Sequence, residues 1–146
     1  MSFTAVWPID NPDDPDAAEL ATVDTADEVD ALLTRLAATS VGPAVIEHQA
    51  RDFIDDVEGL LGTPGEVRIP DHDVTAAVGQ GYGYLSYADP DHAYATSAGE
   101  PSSPGYSSEY VEYPPGSGVP LDVLAGALKE FLTSAERPTG VSWRET

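Results

Sequence analysis

Hydrophobic positions recur along this chain in two periods, one near two residues and one near 3.6. Ser2–Ile9 (SFTAVWPI) alternates as a strand does, with Trp7 as its bulky anchor; Pro8 weakens it or sets it at a sheet edge. The Asn, Asp and Pro residues of Asp10–Asp16 make a turn or loop, and Glu19–Val23 supplies a second strand, so the N-terminus reads as a hairpin. Val29, Leu32, Leu33 and Leu36 then fall at helical spacing. Thr25 with Glu28 three residues on is a capping box, Asp27, Glu28 and Asp30 lie where a helix dipole favours negative charge, and Gly42-Pro43 stops the helix.

Ala44–Gln49 reads as a strand. Asp52–Leu61 fits a short helix with Phe53, Val57, Leu60 and Leu61 on one face, or a strand nearly as well, and Thr63-Pro64-Gly65 breaks it. Val74–Val78 and Tyr82–Tyr87 flank Gly79-Gln80-Gly81, a hairpin signal. Ala88–Ser108 is expected to be mostly loop, with a short strand near Ala93–Thr96, and Glu109–Tyr113 alternates as a strand. In the second helix Pro120 suits the first helical position. Leu121, Leu124, Leu128, Phe131 and Leu132 line one of its faces, with Asp122 near the start and Lys129 nearer the end, as the dipole prefers. Arg137-Pro138 closes the element, and Val141–Arg144 makes a last strand with Trp143 turned inward. Two helices and five to seven strands without βαβ alternation predict an α+β fold, a single domain over 1–146 in which an antiparallel sheet is covered by two main helices on one face.

Composition narrows the function. A chain of 146 residues fits one domain. It has no cysteine, which excludes disulfides and thiolate metal sites. No apolar run approaches the ~18 residues of a membrane span, and the acidic, Pro-rich start lacks the features of a signal peptide, so a cytoplasmic location is expected. Twenty-six acids face six bases, for a formal net charge of −20. Such a chain cannot offer the basic footprint that nucleic acid requires, and a phosphate-rich membrane surface is disfavoured for the same reason. A basic protein partner would be attracted and would dock faster; genome composition or adaptation to high salt explains the acid excess equally well.

Catalytic motifs are lacking. His48, His72 and His92 are the only histidines. Asp71-His72-Asp73 and Asp89-Pro90-Asp91-His92 sit in separate loops without metal-ligand spacing, and solvated loop residues are the plainer reading. Carboxylate pairs such as Asp13-Asp14 and Asp55-Asp56 carry little information in so acidic a chain. No G-x-S-x-G is present, and Gly79-Gln80-Gly81-Tyr82-Gly83 lacks the ending of a phosphate loop. Neither catalytic residues nor cofactor are expected. Tyrosines stand out instead. Tyr82 and Tyr84 share one strand face, with Leu85 and Tyr87 on the other, and Tyr106, Tyr110 and Tyr113 flank Glu109 and Glu112. Tyrosine is favoured at interfaces, although about half of these are expected to be core.

Three stretches carry a family resemblance. Val119-Pro120-Leu121-Asp122-Val123, then Leu128-Lys129-Glu130-Phe131-Leu132, then Glu136-Arg137-Pro138-Thr139-Gly140-Val141-Ser142-Trp143, resemble the closing signature of family one of the immunity proteins of bacterial polymorphic toxin systems. Tyr84-Leu85-Ser86-Tyr87 is similar to that family's central strand and Glu28–Leu36 to its first helix, whereas Arg51–Asp73 fits poorly and reads as an insertion. The resemblance implies an α+β inhibitor without catalytic residues. It would be encoded beside a cognate toxin, often a nucleic-acid deaminase or nuclease, and would block the active site of that basic partner. The expected contacts are Asp89, Asp91, Tyr106, Glu109, Tyr110 and Glu112. A different class, an acidic DNA mimic or regulatory interaction module, is the alternative.

Overall fold

The computed structural model describes residues 1–51, 53–55, 68–108 and 111–145. In chain order the elements are β1 (Phe3–Pro8), β2 (Ala18–Val23), α1 (Ala26–Thr39), β3 (Ala44–His48), β4 (Phe53–Asp55), β5 (Arg68–Pro70), β6 (Asp73–Gly79), β7 (Tyr82–Asp89), β8 (His92–Ala98), β9 (Tyr106–Ser107), β10 (Glu112–Tyr113), α2 (Leu121–Ser134) and β11 (Ser142–Glu145). Seven strands form one sheet in the order β11-β8-β7-β6-β3-β1-β2, every neighbour antiparallel. The pairs β4–β5 and β9–β10 form two small ribbons beside it. The α+β architecture expected from the hydrophobic periods is the one observed.

Both helices lie on the same sheet face, because the inward residues of all the central strands meet them in one core. Phe3, Ala5 and Trp7 of β1, Ala44 and Ile46 of β3, Val74 and Ala76 of β6, and Leu85 and Tyr87 of β7 pack with Val29, Leu32 and Leu36 of α1 and Leu124, Leu128 and Phe131 of α2. The period-two alternation of a strand sends the intervening residues to the outer face.

Local chemistry sets the ends of these elements. Thr25 caps α1 by accepting a bond from Glu28 N at 3.2 Å, and Glu28 Oε1 reaches back to Asp24 N at 3.1 Å, one residue before the cap. Asx turns shape the acidic loop: Asp13 N donates to Asn11 Oδ1 and Asp16 N to Asp14 Oδ1. At the β6–β7 turn Gln80 and Gly81 both have positive φ, 53° and 83°, as a two-residue hairpin of matched twist requires. α2 ends where Ala135 turns left-handed (φ 57°) and its N–H returns to Phe131 O. The carboxylate of Glu130 then accepts from Thr139 N and Gly140 N, which aims the chain into β11.

Three expectations change, and one open alternative resolves in part. Pro8 does not mark an edge strand: β1 lies between β2 and β3, and Pro8 is its last residue, where its carbonyl already accepts from Val41 N at 2.9 Å. β8, expected as a fragment within a loop, is a seven-residue strand between β7 and β11. It shows little apolar alternation because it buries small polar residues, of which Ser97 donates to Ser117 O at 2.8 Å. Leu121 is 38% exposed, outside the buried face of α2. Phe53–Asp55 is strand, paired with Arg68–Pro70, whereas residues 52 and 56–67, with the rest of the helix-or-strand question, lie outside the described residues.

Candidate functional site

The densest group of titratable side chains gathers where β3, β6 and β7 meet the C-terminus of α2. Arg51, just past β3, grips Asp71 with two bonds, Nε to Oδ1 at 2.9 Å and Nη2 to Oδ2 at 3.1 Å. Its Nη1 donates to Ala135 O at 3.0 Å, and Nη2 lies 3.5 Å from Asp89 Oδ2. Asp89 also accepts from the Tyr87 hydroxyl at 2.6 Å and from Asp91 N at 2.9 Å, and its Oδ1 lies 2.9 Å from His92 Nδ1. His72 accepts His48 N on Nε2 at 2.9 Å, so its proton is on Nδ1, 3.1 Å from Asp71 Oδ1. His48 accepts Ala50 N on Nδ1, which leaves Nε2–H to donate to Leu132 O at 2.9 Å.

The electrostatics follow from burial and pairing. Burial works against the ionised forms of Asp71 and Asp89. The bond from Arg51 and the neighbouring His72 nevertheless hold Asp71 below the ordinary carboxylate range, and the bonds from Tyr87 and His92 do the same for Asp89. Burial pushes the Tyr87 phenol up, reinforced by its bond to Asp89, and pushes His72 down. Each ring nitrogen of His48 and His72 and both carboxylates have a partner inside the protein. Chemically the cluster is a brace that ties the last carbonyls of α2 to three strands. Asp73, beside His72 in sequence, points to the opposite sheet face, and among the described residues no three His, Asp or Glu converge as metal ligands.

A second polar centre lies on the outer face. Thr75, Ser86 and Tyr113 join their hydroxyls there, with all three residues buried. Tyr84, Tyr106 and Tyr113 stack around it with ring centroids 5.4–5.9 Å apart. The segment 99–119, which carries β9 and β10, thus covers the outer face of β6 and β7. Next to it opens a groove of about 780 Å³ lined by Pro43, Val45, Asp73, Tyr94, Val111 and Glu112.

The residues expected to meet a partner are distributed over both regions. Asp89 is placed inside: its side chain is 3% exposed and its oxygens are spent on the brace. Asp91 is exposed in the β7–β8 turn. Tyr106 is half-buried against Tyr84, and Glu112 is exposed on β10 at the groove. Glu109 and Tyr110 lie outside the described residues. Tyr82 and Tyr84 do share a face opposite Leu85 and Tyr87. Arg51 was missed by sequence reasoning as the hub of the brace. Its signal was available: an isolated base directly after an apolar strand, in a chain of many acids, needs a partner.

These titratable groups are spent on one another, and the surfaces left open are grooves with acidic walls; that is the anatomy of a small binding domain. The chain belongs to the immunity protein family Imm1, whose model matches residues 17–145. It is accordingly an immunity protein whose partner is a cognate toxin, and membership of such a family speaks for a binding protein and not for an enzyme. No curated protein and no solved structure matches the chain.

Proposed function

We propose that this immunity protein neutralises a toxin that acts on nucleic acid, a deaminase or a nuclease, by covering its active site with an acidic surface. The observation that carries the reading is uncompensated negative charge. Six bases stand against twenty-six acids. Arg35 is paired with Glu19, Arg51 with Asp71 and Asp89, and Lys129 with Asp30, while Arg137 lies over the Trp143 ring. The surface field is therefore negative. An enzyme that binds nucleic acid needs a basic groove, and an acidic protein competes for that groove without touching the nucleic acid. Exposed Asp91 and Glu112, with Tyr106 beside the latter, belong to the contacting surface.

The test is co-expression with the toxin domain encoded beside this chain's gene. Survival of the host, recovery of a complex, and an association rate that falls on the order of tenfold from low to high salt are expected. Death of the host with no complex overturns the inhibitory reading. Protection by a complex whose toxin does not act on nucleic acid overturns the choice of toxin. Equal binding to an unrelated basic protein such as cytochrome c would replace the cognate reading with an indiscriminate acidic mimic.

A further inference from the structure

An antiparallel sheet with one solvated face ordinarily carries polar side chains there. Across β2, β1 and β3 the row Thr22, Thr4 and Glu47 follows that rule, and the row beside it does not. Leu20 is the cross-strand partner of Val6, and Val6 of Val45, so three apolar side chains form one unbroken row on the outer face. They are 62%, 41% and 52% exposed. The same row continues as Thr75, Ser86 and Thr96 on β6, β7 and β8. There it is buried under Tyr113 and the segment that carries it, whose Ser108 borders the groove at Val6 and Val45. Val41, 60% exposed, lines a second groove together with Val6 and Val45, and Pro43 and Val45 line both this groove and the one beside Glu112. Four of the six large apolar side chains left exposed among the described residues thus fall in one continuous region.

The charge around that region has one sign. Asp16 stands at one groove, Asp73 and Glu112 at the other, and among the described residues neither groove is lined by Lys or Arg. An apolar floor within an acidic rim complements a protein surface that presents an apolar side chain ringed by Lys and Arg. We propose that the outer face of β2–β1–β3, centred on Leu20, Val6 and Val45, is the docking surface for the toxin, which seats an apolar residue on this row and basic residues against Asp16, Asp73 and Glu112. This rests on the inhibitory reading above and adds the surface that performs it. Exposed apolar patches on otherwise charged proteins mark such contacts, and the apolar centre confers affinity that charge alone, screened by salt, does not supply.

The experiment measures binding to the co-purified toxin domain by calorimetry, and host protection, for the intact protein and two variants. Leu20→Thr/Val6→Thr/Val45→Thr keeps residues that fit a strand and removes only exposed apolar surface. Leu121→Thr removes a comparable exposed side chain on α2, outside the proposed surface. A circular-dichroism melt establishes that each variant folds, and the single variant Val45→Thr serves if the triple one does not. At least tenfold weaker binding by the triple variant, with Leu121→Thr unchanged, is the expected result. An intact protein that binds and protects while the triple variant binds within twofold of it overturns this surface and leaves the inhibitory reading standing. If light scattering shows that the free protein is a dimer, and the triple variant is monomeric with toxin affinity unchanged, the face is occupied by a second copy and the proposal falls. An intact protein that neither binds nor protects removes the inhibitory reading and this proposal with it.

Discussion

The hydroxyl of Tyr87 donates to the carboxylate of Asp89 at 2.6 Å across a bulge in β7, and the bond joins the apolar core to the brace. Tyr87 is fully buried among Phe131 and Trp143 on the helix side, so Asp89 is drawn inward from a turn whose other acid, Asp91, faces solvent.

Asp89 and Asp91 are therefore expected to separate in a stability measurement. Asp89→Asn leaves Arg51 and the Tyr87 hydroxyl with a weaker partner in a partly desolvated site, and unfolding in urea should show a loss of about 3 kcal/mol. Asp91→Lys should stay within about 0.5 kcal/mol of the parent, as surface changes do. Equal effects at the two positions would contradict the placement of Asp89.

His72 makes stability depend on pH. Burial lowers its pKa in the folded chain, so below the ordinary histidine value the unfolded chain binds more protons than the folded one. Its contribution is present in full above about pH 6.5, the unfolded chain's value, and is lost as pH falls from there through the lower pKa of the folded chain. Asp71 and Asp89, both lowered, contribute above about pH 4 and lose that contribution below it. Relief of repulsion among the other acids runs the opposite way, so the comparison is made against His72→Gln, which carries the same acid excess. The stability advantage of the parent over this variant should shrink between pH 7.5 and pH 5. A gap that does not vary with pH would show that His72 does not titrate in this way.

Tyr113 pins segment 99–119 to the outer face. Tyr113→Phe removes the hydroxyl that meets Thr75 and should cost about 1 kcal/mol. Tyr113→Ala also empties the space between Tyr84 and Tyr106 and should cost about 4 kcal/mol. Limited proteolysis of the alanine variant should cut first within 99–119; cleavage elsewhere first would show that another contact holds the segment.

Two glycines predict effects of opposite sign. A methyl group on Gly83 would lie 2.7 Å from Leu124 Cβ, where β7 and α2 touch, so Gly83→Ala should destabilise by about 2 kcal/mol. Gly126 is exposed within α2 with open space around its Cβ direction, so Gly126→Ala should stabilise by about 1 kcal/mol. A Gly83→Ala melt at or above that of the parent would refute the close contact assigned to Gly83, and a Gly126→Ala melt below it would refute the open space assigned to Gly126.

The legibility of the fold follows the range of the forces involved. The Thr25–Glu28 cap, the apolar stripes of both helices and the Gln80-Gly81 hairpin turn were readable because each depends on neighbours within a few residues. β8 was readable only in part: the short strand expected near Ala93–Thr96 lies within it, but Ser97 looks like a loop residue until Ser117, twenty positions later, accepts its hydroxyl. The site divides in the same way. The acid excess and the tyrosines were visible in the chain, and the closing run to Trp143 pointed to the immunity family that the match over 17–145 establishes. The burial of Asp89 was hidden, because its partners Arg51 and Tyr87 come together only when β3 and β7 enter one sheet.

By itself the sequence determined the two amphipathic helices, the antiparallel hairpins, the acidity and the family, all carried by local periodicity, composition or motif. Only the tertiary structure decided which acids remain available to a partner and which apolar side chains remain uncovered. Val6 and Val45 alternate like any strand residues, and whether they end in core or in solvent depends on how far segment 99–119 reaches across the sheet. That is set by contacts such as Tyr113 with Thr75, 38 residues apart, whose energy no local pattern encodes.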